Sequence, residues 1–359
     1  MGRKKIAGLF KKKDIWHIDK HIGGKRVCRS TGTSRLVEAE QFLINLMEET
    51  RQAQVYGIRP KRTFKEAAAR YVIDKQHKRS IDSDVSRLNM LMPLLGNKYL
   101  DELHMGTLQK WIDHRRTQKV KSNTINHGLK VVRQILNLAA SEWIDEHGLT
   151  WLLAAPKVKL LPLDDKAEPY PLTWDEQRRL FNLLPAHLHD MALFAVNTGC
   201  RDQEICNLRW DWEVKVPEMG ISVFIIPKGF VKNKQDRLVV LNQVARKVVD
   251  SRRGTHLEYV FSYRGHRLQN MLSSGWKVAR IKAGLKQVRV HDLKHTFGYR
   301  LRAAKVSFED RQDLLGHKSN RMTTHYSAAE LGNLFTAAEK VCESSSGEKP
   351  NVVILRLAS

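Results

Sequence analysis

Apolar and polar residues alternate with period two from Ile15 to Thr33, around the pair Gly23-Gly24, so this stretch predicts a small strand hairpin with a Gly-Gly turn. The next run, LVEAEQFLINLMEETRQAQ, changes to helical spacing, with Phe42 and Leu46 on one side. In TFKEAAARYV, Thr63 and Glu66 form a capping box and open a helix. Three more helical stretches follow. SIDSDVSRLNMLMPLLG stops at Gly96, and MGTLQKWIDHRRTQ comes next. SNTINHGLKVVRQILNLAASEW places Ile125, Leu129, Val132 and Leu136 on one stripe and turns Lys130 and Arg133 elsewhere. Four helices in close succession predict a compact bundle.

The periodicity breaks at PKVKLLPLDDKAEPYP, where four prolines read as a linker. Thr173 and Glu176 form a second capping box and restart a helix. The remainder is helical except for GISVFIIPKGFVKNKQDRLVVLN, where β-branched runs flank a lysine-rich turn and predict another hairpin. Leu293, Phe297 and Leu301 recur every four residues as the buried face of a helix that begins near His291. A further helix ends at Gly316, LGNLFTAAEKV is amphipathic, and NVVILRL is a short β-prone end. The pattern therefore predicts a mainly α, multidomain chain with small β elements (α+β). It comprises a strand-plus-helix module at 1–60, a four-helix domain at 61–155, a linker at 156–171, a mixed α/β domain at 172–340 and a tail at 341–359.

Charge narrows the class of partner. The 359 residues carry 62 Lys and Arg against 38 Asp and Glu, a net charge of +24. Eleven basic residues and two acids fall within positions 1–35, and a second basic run, HRRTQKVK, lies at 114–121. Such an excess points to a polyanion. The opening MGRKKIAGLFKKK lacks the apolar centre of a signal peptide, and no apolar run is long enough to span a bilayer, so nucleic acid is preferred over lipid. Cys28, Cys200, Cys206 and Cys342 have neither disulfide-framework nor metal-ligand spacing, which suits a reducing cytoplasm. A phosphate-binding Gly-Lys-Ser/Thr loop and an acidic metal cluster are absent from the sequence.

Candidate chemistry concentrates in the last large segment. NTGCRDQEIC sets Arg201 after a Thr-Gly turn at the front of a helix, a place suited to anions, with Glu204 three residues on to hold its guanidinium. The hairpin turn offers Lys228, Lys232 and Lys234. His291 and Lys294 are helical neighbours on a face other than the buried one. His317 follows Gly316, and Tyr326 lies nine residues further. Singly, these are a surface arginine, a solvated turn and structural histidines; their order along the chain carries the weight.

That order, Thr-Gly-x-Arg-x-x-Glu, a hairpin lysine, His-x-x-Lys, Leu-Gly-His and a tyrosine nine residues on, resembles the tyrosine recombinase (phage integrase) family. The likeness covers the whole last segment. It extends to the four-helix segment, which looks like a core-site DNA-binding domain, and to the basic N-terminal module, which is similar to arm-site-binding domains. The resemblance makes Arg201 the first arginine, His291 and His317 the two histidines, Tyr326 the nucleophile and Glu204 a structural partner. Lys232, five residues before Arg237, best matches the hairpin lysine, ahead of Lys234. Lys294 stands where the family has its second arginine. It keeps the charge but loses the planar fork, and is expected to give one cation to the scissile phosphate.

The resemblance implies a site-specific recombinase that integrates or excises a mobile element through a 3′-phosphotyrosyl intermediate, with no metal or cofactor. Its expected partners are attachment-site duplex DNA, three further copies of the chain and accessory DNA-bending or directionality proteins, in a bacterial host cytoplasm. The alternatives are a type IB topoisomerase-like relaxing enzyme and a cleavage-deficient DNA-binding regulator. NVVILRL is expected to add a strand to a neighbouring copy.

Overall fold

The computed structural model describes residues 6–165, 168–317 and 327–342. Tyr326 and the β-prone end NVVILRL lie outside the described residues. The chain divides into two units, Met1–Ala167 and Glu168–Ser359.

The first unit opens with an antiparallel sheet of β1 (Leu9–Lys12), β2 (Ile15–Ile22) and β3 (Lys25–Ser30). The β2–β3 hairpin turns on Gly23 and Gly24, both at positive φ, as a two-residue turn of matching twist requires. Helix α1 (Leu36–Tyr56) seats Ala39 and Leu43 against Leu9, Ile18 and Ile22 of the sheet. The strand β1 is an addition to the predicted hairpin.

Four helices follow: α2 (Phe64–Asp74), α3 (Ile81–Leu95), α4 (Met105–Thr117) and α5 (Ser122–Ser141). The Thr63–Glu66 capping box is present at the start of α2. Ile125, Leu129, Val132 and Leu136 of α5 are buried in one core with Phe64, Tyr71, Leu91 and Trp111, which is why a single apolar stripe suffices to align the bundle. Within 156–171, Val158, Leu160 and Leu161 pack against this core. The Asn126 side chain exchanges two hydrogen bonds with the Leu161 backbone, of 2.9 and 2.7 Å.

The second unit contains α6 (Trp174–Phe181), α7 (Ala186–Thr198) and the short α8 (Asp202–Cys206). An antiparallel sheet follows, in the order β4 (Glu213–Val216), β5 (Ile221–Ile226), β6 (Arg237–Val240). Then come α9 (Gln243–Ser251), the small hairpin β7 (Ser262–Tyr263) and β8 (His266–Arg267), α10 (Ser274–Lys282), α11 (Val290–Ala303), α12 (Phe308–Leu314) and α13 (Ala328–Glu339). Its main core joins α6, α7, α9 and α10 to one sheet face. A second cluster sets Leu334, Ala337 and Ala338 of α13 against Val223, Leu238 and Val240 on the other face and against Phe297 and Leu301 of α11. The amphipathic helix after Tyr326 is thus packed on its own unit.

The start of α11 is firmly strapped. Asp292, fully buried, accepts from Arg289 Nη2 at 2.8 Å and from the Tyr170 N–H at 3.1 Å. Thr296 Oγ1 accepts from the Leu172 N–H at 2.9 Å. These bonds fix the turn of helix that carries His291, Lys294 and His295.

Candidate active site

Arg201, Lys232, His291, Lys294 and His317 line one open cleft of about 430 Å³ in the second unit. They come from four separate places in the chain: the entry to α8, the β5–β6 connection, the first turns of α11 and the residue after Gly316. Glu204 lies beneath them at 1% exposure. Lys234, the second match for the hairpin lysine, and Lys228 do not line the cleft.

Helix α7 ends on Gly199 at φ +61, a conformation a side chain resists, and a Cβ there would lie 2.5 Å from the Phe297 ring. The chain therefore turns sharply into Arg201. Glu204 then accepts from the Arg201 backbone N–H at 2.8 Å and from Arg201 Nη1 at 2.7 Å. The N–H expected to greet an anion is thus already taken by a carboxylate, and the guanidinium is the group that faces the cleft. The other Glu204 partner is Arg237 Nη1. Burial works to raise the Glu204 pKa, but Arg237 and the bonds from Arg201 outweigh it and hold the carboxylate ionised.

Sequence reasoning used Arg237 only as a spacing mark. It is 2% exposed, and its Nη2 donates to the carbonyls of Thr198, Gly199 and Leu314. A Cβ on Gly316 would fall 2.6 Å from Arg237 Nε, so a glycine is required where α12 meets this guanidinium. Lys294 repeats the arrangement. It is 5% exposed, and its ammonium donates to the carbonyls of Gly199, at 2.8 Å, and Leu315. The last carbonyls of a helix lack intrahelical partners, so α7 and α12 both end on buried cations. Lys294 was expected to give its charge to a phosphate; two of its three N–H groups are engaged by backbone carbonyls.

Lys294 and the histidines of the cleft are shifted toward neutrality. Desolvation pulls Lys294 well below the ordinary amine range, with Arg237 and Arg201 adding repulsion. His291 is lowered by desolvation first, then by His295, Lys294 and Arg201. His317, open to solvent at one edge, is lowered by partial desolvation and then by Lys294, Arg201 and Arg237. His295 also lines the cleft, with its ring edge-on to His291 at 4.8 Å. Arg302 and Arg311 line its far end. Arg302 is eleven residues from His291 on the same helix stripe, a signal that the search for a compact motif overlooked.

Among the described residues no group of three or more His, Cys, Asp or Glu is placed to hold a metal ion, and no helix is long and apolar enough to cross a membrane. The cleft is lined by the nitrogen groups of arginines, lysines and histidines, a lining suited to a phosphodiester, with the hydroxyl-bearing Tyr326 close by in sequence.

Residues 172–331, which supply all of these side chains, match the phage integrase family. That segment belongs to the phage integrase (tyrosine recombinase) family, whose members are site-specific recombinases. The chain is 24% identical to the integrase of Salmonella phage P22, covering 96% of each chain. It is 26% identical to the tyrosine recombinase XerA of Thermococcus kodakarensis, across 68% of this chain and 85% of that one. In fold it is similar to a lambda integrase tetramer bound to a Holliday junction, at TM-score 0.57 and 16% identity, covering 91% of this chain and 99% of that one. It is also similar to the Tn1549 transposon integrase in complex with circular intermediate DNA, at TM-score 0.54 and 15% identity, covering 75% and 97%.

Proposed function

We propose that this chain is an integrase that cuts and rejoins DNA strands through a covalent link between Tyr326 and a 3′ phosphate, and so integrates or excises a mobile element. The observation that carries this reading is the convergence of Arg201, Lys232, His291, Lys294 and His317 on one cleft from four separate stretches of sequence. A structural arginine or a solvated turn has no reason to share a cavity with two histidines.

In this reading the Tyr326 oxygen attacks the scissile phosphorus and the 5′ oxygen leaves. Charge grows on the non-bridging oxygens, and Arg201, held by Glu204, meets it with a fixed pair of donors. His291 takes the tyrosine proton, which its lowered pKa allows because the ring is neutral and ready to accept. His317 donates a hydrogen bond to the phosphate. Lys232, exposed on the β5–β6 connection, protonates the leaving 5′ oxygen. A 5′-hydroxyl from a partner strand then attacks the phosphotyrosyl bond, so bond energy is conserved without a nucleotide. Lys294 has a mainly positioning role, holding the turns that bear Arg201 and His317, with one N–H left for the phosphate.

The partners follow from the same reading. They are duplex DNA at attachment sites, bound by the 61–155 helices at core sites and by the 1–60 module at arm sites, four copies of the chain at synapsis, and accessory DNA-bending proteins. Lambda integrase was captured both as a dimer on a core site and as a tetramer on a Holliday junction, which supports stepwise assembly here.

The test is a nicked duplex carrying the element's attachment site, which traps the covalent step. The chain is expected to give a detergent-resistant protein–DNA complex that Tyr326→Phe abolishes. Specific binding of the same duplex with no covalent complex would overturn cleavage in favour of a binding-only regulator.

A further inference from the structure

The helical domain of the first unit holds a second, smaller cavity of about 260 Å³, set among α3, α4 and the first turns of α5. Its apolar lining is the buried Trp111 and the exposed Met90, and Arg87, Arg115, Thr124 and His127 line it beside them. None of the lining residues is acidic. The acid lies behind: Asp84, on the core side of α3 and 2% exposed, accepts from Arg87 Nη1 at 2.7 Å.

Asp84 is itself locked. Its other oxygen accepts from the Tyr71 hydroxyl at 2.9 Å and from Lys78 Nζ at 2.6 Å, and the Tyr71 hydroxyl also meets Gln134 at 3.0 Å. The pairing satisfies the charge of a buried carboxylate. It also orients Arg87. With Nη1 tied back, the Nε–Nη2 side of Arg87 meets no protein acceptor among the described residues, and its side chain, 28% exposed, lines the cavity. That side of a guanidinium is a two-donor fork.

We infer that Arg87 is a base-reading residue, held by Asp84 to contact a guanine in the major groove of the DNA site. Guanine presents N7 and O6 as a matched pair of acceptors there. A phosphate would use the charges but gain nothing from the apolar lining of Met90 and Trp111. A base-pair edge uses both, because thymine methyls and ring carbons beside a guanine bury against apolar surface. His127 fits the same ligand: burial first, and the Arg87 charge second, lower its pKa, leaving a neutral ring able to donate or accept. The inference rests on the recombinase reading, which supplies the DNA.

The experiment selects bound duplexes from a randomised pool with the full chain, with Arg87→Ala and with Arg87→Lys, and sequences what each retains. The parent is expected to enrich a motif containing a fixed guanine. Both variants lose the preference at that position and keep it elsewhere. Arg87→Lys is the sharper arm, because it retains the charge and the pairing with Asp84 but not the fork. On the parent's selected duplex Arg87→Ala should bind roughly ten- to a hundredfold more weakly, and on a duplex altered at the guanine it should match the parent. Melting curves check that the variants fold. An unchanged motif overturns the inference. So does a loss that is equal on all sequences with a log–log salt slope reduced by about one, the mark of a phosphate contact. A parent pool with no motif would instead sink the recombinase reading itself.

Discussion

Two buried carboxylates organise this molecule, and they do it differently. Glu204 sits between Arg201 and Arg237, with the second guanidinium as buried as itself, and it ties together groups that are distant in sequence. Asp84 binds Arg87 and Lys78 within one helix and the turn before it, and both of those cations reach solvent. The first arrangement suits chemistry, where a cation must stay fixed while charge develops on the substrate. The second suits recognition, where a side chain is aimed but its outer edge must remain open to whatever base arrives. In both clamps the outer arginine, Arg201 or Arg87, is partly exposed; the first differs in backing its acid with a second, fully buried guanidinium.

Removing the exposed arm of the first clamp should have the largest effect. Arg201→Ala is expected to slow covalent-complex formation by about 10²–10³-fold, the scale of one lost donor to a developing anion, with DNA affinity little changed. A similar loss in Arg87→Ala would erase the distinction between the clamps; that variant is expected to cleave at the parent rate once saturated with DNA.

Removing each acid comes next. Glu204→Gln strands the buried Arg237 charge and should cost about 3–5 kcal/mol of unfolding free energy. Asp84→Asn releases Lys78 and Arg87 to water and should cost about 1–3 kcal/mol. Denaturant titration of both variants reads the order, and equal losses would show that cation depth does not matter.

Lys294 gives a smaller and more informative effect. Lys294→Ala leaves the Leu315 carbonyl without this donor and the Gly199 carbonyl with Arg237 alone, so cleavage should fall tenfold or more alongside about 1–3 kcal/mol of stability. Lys294→Arg, if it fits, restores the charge. If both variants cleave at the parent rate, Lys294 has no part in the site.

The smallest effect is a pH dependence confined to the first clamp. His291, His317 and Lys294 are held below their ordinary values in the free protein. A bound phosphodiester favours their charged forms and raises those values, so binding takes up protons. Affinity for DNA should therefore fall as pH rises through the interval between the free and bound values, which for the histidines begins below 6.5. His291→Gln with His317→Gln should flatten that slope, as anisotropy titrations across pH would show. A parent slope of the opposite sign would mean these groups do not face the phosphate.

Much of this was legible because its causes are local. The capping boxes at Thr63 and Thr173 announce themselves within four residues, and the Gly23-Gly24 turn within two. The stripe Ile125, Leu129, Val132, Leu136 needs only helical geometry to be read. Arg201, Lys232, His291 and His317 could be picked out by their order along the chain, but spacing alone could not show that they share a cleft. The rest depends on partners that no local rule links. Arg237 finds Glu204 across 33 positions, and Lys294 finds Gly199 across 95. Asn126 holds Leu161 across 35, drawing the start of a proline-rich stretch onto a helical core. The strands β1 and β4 are short and were hidden beside stronger hairpin signals.

The two helix ends at the cleft change how its charge should be counted. The carbonyls closing α7 and α12 carry partial negative charge, and Arg237 and Lys294 are matched against them. A tally of side chains would credit the site with six lysine and arginine cations: Arg201, Lys232, Lys294, Arg302 and Arg311 of the lining, and Arg237 behind it. An incoming strand meets a milder field than that, because the two deep cations, Arg237 and Lys294, are already screened by backbone. Such a site attracts DNA without gripping any one phosphate so tightly that the strand, once exchanged, is slow to leave.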